Sequence, residues 1–443
     1  MKTQPNLATR ELVSAQPRLR SDLRIDSQEF QDQLSYVIED PASGQFYRVG
    51  QREVQFLRRL DGRNTVADIV GQLAVSLGED ALNEQDAISL VRMLADARML
   101  DMGGADHAGR LHEHLEQRNR GTRTLQKMQG LLFPKLPLLN PDGFLEAILP
   151  RLKWITGGGF FVLWCLVLVW GGNALWQDWP RFIVQSEGLF DFGNLFMLGA
   201  LWMLLKVIHE FWHAIVCKRF GGSVPEAGIT LMLWVTPLGY VNASSSMAFD
   251  SKWQRIFVAA AGMYGELFIA GLAAYFWAQT EPGLLSAALH QVVMVASITT
   301  LLFNANPLMR FDGYYILSDL LEIPNLYTKG QKVVRYWSTR LFLGASKAKW
   351  PLRDNEPSWI IGIYGHLALV WRIMILLGLL IGASLLFGGA GLLLAMVVGT
   401  AMVVSWSKGL FGYLWKSGKT EGVTAWSLSW RVALFAGIAV PLA

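Results

Sequence analysis

The pentapeptide HEFWH, residues 209–213, places two imidazoles and a carboxylate in a stretch that is otherwise apolar. Positions four apart in a helix share a face, so His209 and His213 can direct two nitrogens at one metal ion. Glu210 lies next to the first histidine and can reach a water molecule at the metal as its general base. Such groups are expensive inside a membrane. The order of residues therefore predicts a hydrolytic zinc (Zn²⁺) site, in preference to polar side chains that only join helices by hydrogen bonds.

Two histidines do not complete a catalytic zinc site, because such sites usually have three protein ligands and a water. The segment NANPLMRFDGYY, residues 304–315, follows a later apolar stretch at a comparable depth, and Pro307 ends the helix there. Asn304, Asn306 and Asp312 are polar side chains of this segment that carry an oxygen donor. Asp319 and Glu322 follow on a further predicted turn and are rival carboxylates for the third position.

The composition is that of a membrane protein. The chain has 443 residues, of which 52% are hydrophobic, and a mean hydropathy of +0.30. About 20 residues cross the hydrocarbon core, and seven segments are long and apolar enough to be considered. They are 158–176, 194–216, 256–278, 284–305, 360–387, 390–406 and a last one starting near 425, which has only about 12 apolar residues after Arg431. The expected fold is mainly α, a polytopic bundle of six or seven spans.

Charges in the connecting segments predict the orientation. The segments 177–193, 279–283 and 388–390 hold one base between them, Arg181, whereas the intervening loops are rich in lysine and arginine. Basic loops stay in the cytoplasm. We therefore expect a multi-pass protein of the inner (cytoplasmic) membrane with a cytoplasmic N-terminus and, with an odd number of spans, a C-terminus outside. Whether the chain naturally continues past Ala443 stays open.

Three regions are expected along the chain. Residues 1–103 are polar, without a spanning segment, and predict a small cytoplasmic α+β domain. Residues 104–157 are expected to be a basic juxtamembrane connector, and residues 158–443 the transmembrane domain that carries the predicted zinc site.

Within residues 1–103, LSYVIEDPASGQFYRVG predicts a hairpin. Three helices follow, in REVQFLRRL, in TVADIVGQLAVSL with a capping box from Thr65 to Asp68, and near 84–98. This winged-helix-like pattern resembles PqqD-like domains through Tyr36, the DPASG turn and FLRRLDGRNTV. The resemblance implies that the edge from Tyr36 to Val49 accepts an extended peptide by strand addition. The alternative is a docking or regulatory domain that binds no peptide, and the same residues are compatible with it. The third helix has no excess of bases, so no nucleic-acid partner is expected.

The order of HExxH in one span and N-x-N-P-L-x-x-x-D-G two spans later resembles the site-2 protease family of intramembrane zinc metalloproteases. The DGYY continuation and the N-terminal domain resemble its bacterial branch of peptide zinc metalloproteases. The resemblance is carried chiefly by residues 200–330. It implies Asp312 as the third zinc ligand, with His209 and His213, and Glu210 as the catalytic base. Asn304 and Asn306 would be supporting residues.

Further polar residues lie in the apolar segments. The third span reads AAGMYGELFIAG, where the family often has a polar motif. Glu266 there either assists substrate binding or gating, or forms one hydrogen bond among small packing residues. His290 and His366 have no partner at metal spacing and are expected to form hydrogen bonds between helices.

The segment between His213 and the third span is too short and broken to cross the membrane. Its ITLMLWV and PLGY elements predict a re-entrant, strand-like element beside the metal. It either holds a substrate extended by strand addition or covers the site.

The expected function is cleavage of a membrane-associated or leader-type peptide or protein by a zinc-activated water. The expected partners are this substrate and the lipid bilayer, and an extracytoplasmic adaptor or an export complex is a candidate partner. The alternative is a non-proteolytic membrane scaffold or a component of a peptide export or secretion complex. The sequence does not identify the substrate, the cleavage site or the oligomeric state.

Overall fold

The computed structural model describes most of the chain up to residue 387. The described residues are 13–30, 33–41, 45–78, 81–97, 99–102, 134–189, 192–232, 236–352 and 356–387, with the isolated positions 389, 396, 397, 400, 404 and 408. The chain divides into two compact units, Met1–Leu302 and Phe303–Ala443. The protein is mainly helical, with a small sheet region near the N-terminus.

The first unit begins with short strands and three helices. The strands are β1 Pro17–Leu19, β2 Arg24–Phe30, β3 Gln33–Asp40, β4 Gln45–Gly50 and, after the helices, β5 Leu100–Met102. The helices are α1 Gln51–Leu57, α2 Val66–Leu77 and α3 Glu84–Asp96. Both predicted strands and all three predicted helices of this region are therefore confirmed. Apolar side chains from all three helices, with Ile38 and Val49, form one buried core.

The capping box is also confirmed, because the Thr65 hydroxyl accepts from the Asp68 amide and the Asp68 carboxylate accepts from the Thr65 amide. These hydrogen bonds satisfy amide groups that have no partner in the first turn of a helix. The hydrogen bonds from Thr65 also hold the pKa of Asp68 below its ordinary value.

The predicted peptide-accepting edge from Tyr36 to Val49 needs a correction. Tyr36 lies in β3, which is the central strand of the antiparallel order β2-β3-β4, and it pairs with Ser27 on one side and Val49 on the other. Within the described part of this sheet, the outer strands are β2 and β4. The sequence RIDSQEF of β2 lacks the apolar alternation that predicts a strand, so its pairing with β3 was missed.

The structure describes the second half of the connector. Residues 103–133 lie outside the described part, but β6 Lys135–Leu139 and α4 Asp142–Leu152 precede the first span. The Asp142 carboxylate accepts from Lys218 Nζ and from the Val224 amide, each at 2.8 Å. Partial burial works to raise the pKa of Asp142, but these hydrogen bonds outweigh it and hold that pKa below its ordinary value. They tie the connector to the chain just beyond HEFWH.

Five helices in the described part are long and apolar enough to cross a membrane, in agreement with the first five predicted spans. In the first unit these are α5 Gly158–Gln177, α7 Phe192–Arg219, α8 Lys252–Gln279 and α9 Leu284–Ile298, which continues into a π-helical turn, Thr299–Asn304. The short helix α6 Trp179–Ser186 lies between α5 and α7. Of the predicted span 390–406 the structure describes four isolated positions, and the one starting near 425 lies outside the described residues.

The segment between α7 and α8 is a strand hairpin, as predicted. Strands β7 Ala227–Met232 and β8 Thr236–Val241 pair antiparallel, and β6 of the connector adds to β7 to give the order β6-β7-β8. Residue Gly228 has no room for a side chain, because a Cβ there would lie 2.2 Å from the carbonyl oxygen of Leu136. Strand β8 packs beside α7.

Helices α5 and α8 approach each other most closely at two glycines. A Cβ added to Gly171 would lie 2.3 Å from the carbonyl oxygen of Gly271, whereas one added to the adjacent Gly172 meets nothing within 4 Å. Small residues allow such close helix contacts in membranes.

We expect Gly171→Ala to destabilise the protein by about 1–3 kcal/mol, because the added methyl group overpacks the interface. The matched change Gly172→Ala should be neutral or slightly stabilising, since alanine is the better helix former by about 1 kcal/mol. Thermal unfolding of both variants in the same detergent measures the difference. Equal effects of the two substitutions would contradict the close approach of α5 and α8.

The second unit contains three helices in its described part: α10 Asp312–Leu320, α11 Leu326–Phe342 and α12 Ser358–Phe387. Helices α11 and α12 pack at Gly330 and Gly365, where a Cβ on Gly365 would lie 2.5 Å from the carbonyl oxygen of Gly330. The Lys329 ammonium pairs with the Glu356 carboxylate at 2.8 Å.

Candidate metal centre

Helix α7 carries both histidines of HEFWH on one face. His209 and His213 are four residues apart, and they are 4% and 8% exposed. Their Nε2 atoms lie 2.9 Å apart. The helical spacing therefore brings the two imidazoles together in a site that is shielded from solvent.

The partners of the other ring nitrogens decide where the protons are. His213 Nδ1 lies 2.6 Å from the carbonyl oxygen of Val258, which can only accept a hydrogen bond. His209 Nδ1 lies 3.4 Å from Oε1 of Glu266, also an acceptor. These two acceptors favour a proton on each Nδ1, an arrangement that leaves both Nε2 lone pairs facing the same point.

This arrangement fits a metal ion. Two lone pairs 2.9 Å apart repel each other unless a proton or a cation lies between them. Zinc–nitrogen bonds of about 2.0–2.1 Å hold two nitrogens roughly 3.3 Å apart in tetrahedral geometry, close to the observed separation. Imidazole nitrogens are ordinary zinc ligands, so the two histidines are compatible with a zinc site.

Asp312 is the predicted third donor. It is the first residue of α10 in the second unit, whereas His209 and His213 lie on α7 in the first unit. Asp319 lies later in α10 and Glu322 follows that helix. The choice of Asp312 among these three carboxylates stays a prediction.

The turn before α10 explains how Asp312 is presented. Asp312 is the first residue of α10, and a Cβ on the following Gly313 would lie 2.4 Å from the carbonyl oxygen of Ala305. Only glycine permits this approach. Asn306 Oδ1 accepts from the Leu308 amide at 2.8 Å, so Asn306 shapes the same turn. Asn304 is buried at the end of the π-helical turn.

Glu210 faces the strand hairpin. Its Oε2 accepts a hydrogen bond from the Val241 amide at 3.1 Å, at the end of β8. Gly239 in β8 also lies against α7, since a Cβ there would be 3.8 Å from Cγ of Glu210. The predicted strand-like element therefore lies beside the predicted catalytic base.

Tyr240 lies between these two residues of β8, and its hydroxyl donates to the Glu226 carboxylate. Burial and this hydrogen bond raise the pKa of Tyr240 to about 12. Tyr240 thus keeps its proton at neutral pH and can serve as a hydrogen-bond donor, but it is no base.

Two glycines of α8 make space for side chains of α7. A Cβ on Gly262 would lie 2.3 Å from His209 Nε2, and one on Gly265 would lie 2.1 Å from Cδ1 of Trp212. The small residues of AAGMYGELFIAG therefore accommodate HEFWH itself. Sequence reasoning predicted small-residue packing here, but it could not assign what was packed.

Sequence reasoning missed two partners of Glu266. Lys206 Nζ lies 2.7 Å from Oε1 of Glu266, and the Thr300 hydroxyl donates to Oε2 at 2.5 Å. A signal for Lys206 existed, because a lone base inside an apolar helix, three residues before His209, needs a partner. Sequence reasoning also missed the Val258 carbonyl, the partner of His213 Nδ1. It is a backbone group, so no side-chain pattern in the sequence could indicate it.

The remaining two membrane histidines behave differently from each other. His290 Nε2 lies 3.0 Å from the Ser186 hydroxyl and 3.1 Å from the Phe182 carbonyl oxygen, so it joins α9 to α6 as predicted. The prediction for His366 was wrong: its Nδ1 lies 2.8 Å from the carbonyl oxygen of Gly362 in its own helix. An exposed ring can bond within one helix turn, which the sequence pattern does not distinguish from a bond between helices.

No protein-family model, curated protein or solved structure matches this chain.

Proposed function

We propose that the protein is an intramembrane zinc metalloprotease of the site-2 protease type, which cleaves a membrane-associated or leader-type peptide. The observation that carries the proposal is the convergence of the His209 and His213 Nε2 lone pairs, next to a carboxylate that is held at a strand end. Scaffold proteins need no such pair of oriented, buried imidazoles. The predicted membrane spans agree with the five apolar helices of the described part.

The residues divide the work as follows. His209, His213 and Asp312 would hold Zn²⁺. Zinc, when bound, supplies a Lewis acid that polarises a peptide carbonyl and acidifies a water molecule. Glu210 would take a proton from the attacking water at its carboxylate and pass it to the leaving amine, which is general base and then general acid catalysis.

Strand β8 supports a way to present the substrate. It is an outer strand of the order β6-β7-β8, and its Val241 end touches Glu210. A helical peptide hides its carbonyls in internal hydrogen bonds, so it must become extended before water can attack. An extended peptide that adds to an outer strand has its carbonyls held in fixed directions.

The proposed location is the inner membrane, with the N-terminal region in the cytoplasm. The basic loops and the apolar helices support this orientation. The sheet β2-β3-β4 could hold a leader peptide on β4, which is an outer strand in the described part of that sheet. Candidate partners are therefore the peptide substrate, the bilayer and an adaptor or export complex.

Metal removal tests the proposal directly. Full-length protein purified in detergent should contain about one zinc ion per chain, and a strong chelator should abolish its cleavage of a panel of fluorogenic transmembrane and leader-type peptides. Added zinc should restore cleavage, whereas added magnesium should not, because imidazoles are poor ligands for magnesium. Elemental analysis and the peptide assay measure the two effects. A metal-free protein that still cleaves, or a protein that never binds zinc, would sink the proposal.

A further inference from the structure

The carboxylate of Glu266 lies inside the bundle, where nothing in the hydrolysis scheme above requires a second acid. It is 0% exposed, on the face of α8 that packs against α7. Its polar contacts include those with Lys206 and His209 of α7 and with Thr300 of the π-helical turn. Three segments of the chain thus meet at one carboxylate.

The two oxygens of this carboxylate have different partners. Oε1 faces Lys206 Nζ at 2.7 Å and His209 Nδ1 at 3.4 Å, while Oε2 accepts from Thr300 at 2.5 Å. The contact with His209 is longer than the 2.7–3.2 Å of a strong N–H···O bond. The other two contacts are short, so they hold the carboxylate in place and direct Oε1 towards the imidazole.

Helix α8 places the Glu266 carboxylate level with the His209 ring of α7. Gly262 provides the space for the His209 ring, and Glu266 follows four residues later on the same face. On α7, Lys206 precedes His209 by three residues and therefore lies on the same side. One turn of α7 therefore carries the His209 ring, and one turn of α8 provides both the space for that ring and the acceptor for its Nδ1.

A role of the Lys206–Glu266 ion pair only in holding α7 and α8 together explains this arrangement poorly. Burying an ion pair between helices carries a desolvation penalty that often exceeds the attraction, and a neutral, well-packed pair frequently does as well. A histidine that ligates a metal, by contrast, commonly donates its other ring N–H to a carboxylate, which fixes the ring and makes it a better ligand.

We infer that Glu266, supported by Lys206 and Thr300, is a positioning residue that holds Nδ1 of His209 and thereby turns Nε2 towards the metal. The inference rests on the metal site of the proposed function. It gives Glu266 no contact with the substrate.

The test replaces the whole pair. In Lys206→Met/Glu266→Met, both charges are removed together and similar volumes remain, so no unpaired charge is left in the bundle. We expect zinc affinity of the full-length protein, measured by chelator competition, to fall about 10- to 100-fold. The absorption spectrum of the cobalt-substituted protein should change as well, since it reports ligand geometry around the metal. The unfolding temperature should change little.

Two controls separate this role from simple packing. His290→Gln alters another buried polar contact between helices, away from the two imidazoles, and should leave zinc affinity and the cobalt spectrum unchanged. Glu266→Gln keeps the shape and an acceptor but removes the charge, and should lie between the unmodified protein and the double variant. Zinc affinity within twofold of the unmodified protein in the double variant would refute the inference.

A measurement on the unmodified protein needs no variant to fold. With ring-¹⁵N-labelled histidine, zinc-loaded protein should show His209 coordinated through Nε2 and protonated at Nδ1. Coordination through Nδ1 would overturn the inference, whatever the variants do. Zinc bound in this way without any peptide cleavage would instead remove the proposed function and leave the role of Glu266 intact.

Discussion

Replacing Glu210 with glutamine is expected to lower the rate of peptide cleavage by about 10²- to 10⁴-fold, the usual loss when a general base is removed. The amide has nearly the same shape and can still accept the hydrogen bond from the Val241 amide. It cannot take a proton from water. Zinc content and unfolding temperature should therefore stay at the values of the unmodified protein, while cleavage of the peptide panel is lost.

The same variant decides between enzyme and scaffold. An inactive protease with an intact site should retain its substrate, so a pull-down of Glu210→Gln should enrich an uncleaved peptide. A stable export complex that co-purifies equally with both forms would favour the scaffold. Full biological function of Glu210→Gln would refute the protease proposal even if zinc is bound, because the metal would then be structural.

Removing a proposed ligand is expected to have a different effect from removing the base. His213→Ala and Asp312→Ala should each lower zinc content strongly, and cleavage should fall with it to background. A catalytic zinc held by three protein ligands keeps too few when one is lost. Elemental analysis of detergent-purified protein, together with the peptide assay, measures both quantities.

His366→Ala is the matched control for these two variants. It removes an imidazole from α12 whose hydrogen bond stays within its own helix, so zinc content and cleavage should be unchanged. Zinc content that survives Asp312→Ala would remove Asp312 from the ligand set and reopen the choice among the carboxylates. Zinc content that survives His213→Ala would refute the whole reading of HEFWH.

Much of the local structure was predictable because it depends on short-range patterns. Apolar runs of span length predicted the five long helices, and the helix boundaries agree within a few residues. The Thr65 capping box followed from two residues at the correct spacing. The pairing of His209 with His213 followed from helix geometry alone, since both residues lie on α7.

Partners from different parts of the chain were less accessible to sequence reasoning. Strand β2 was missed because its residues show no apolar alternation, and its pairing moved Tyr36 to the centre of the sheet. Strand β6 was also missed, because residues 104–157 were assigned as a connector from their basic residues alone. The choice of Asp312 over Asp319 and Glu322 rested on the family resemblance, because spacing along the chain does not determine which carboxylate approaches the histidines.

The space over Gly262 also has a consequence for the biogenesis of the protein. The ring of His209 and its acceptor both depend on α8, which is synthesised after α7 and is separated from it by the strand hairpin. While α7 is in the bilayer alone, its two imidazoles have no fixed orientation. The acceptors for both Nδ1 atoms are in α8, so the two rings are held in their observed orientation only after the two helices have docked. If the protein is the proposed zinc protease, metal loading should follow helix assembly, and an incompletely assembled chain should remain metal-free and inactive.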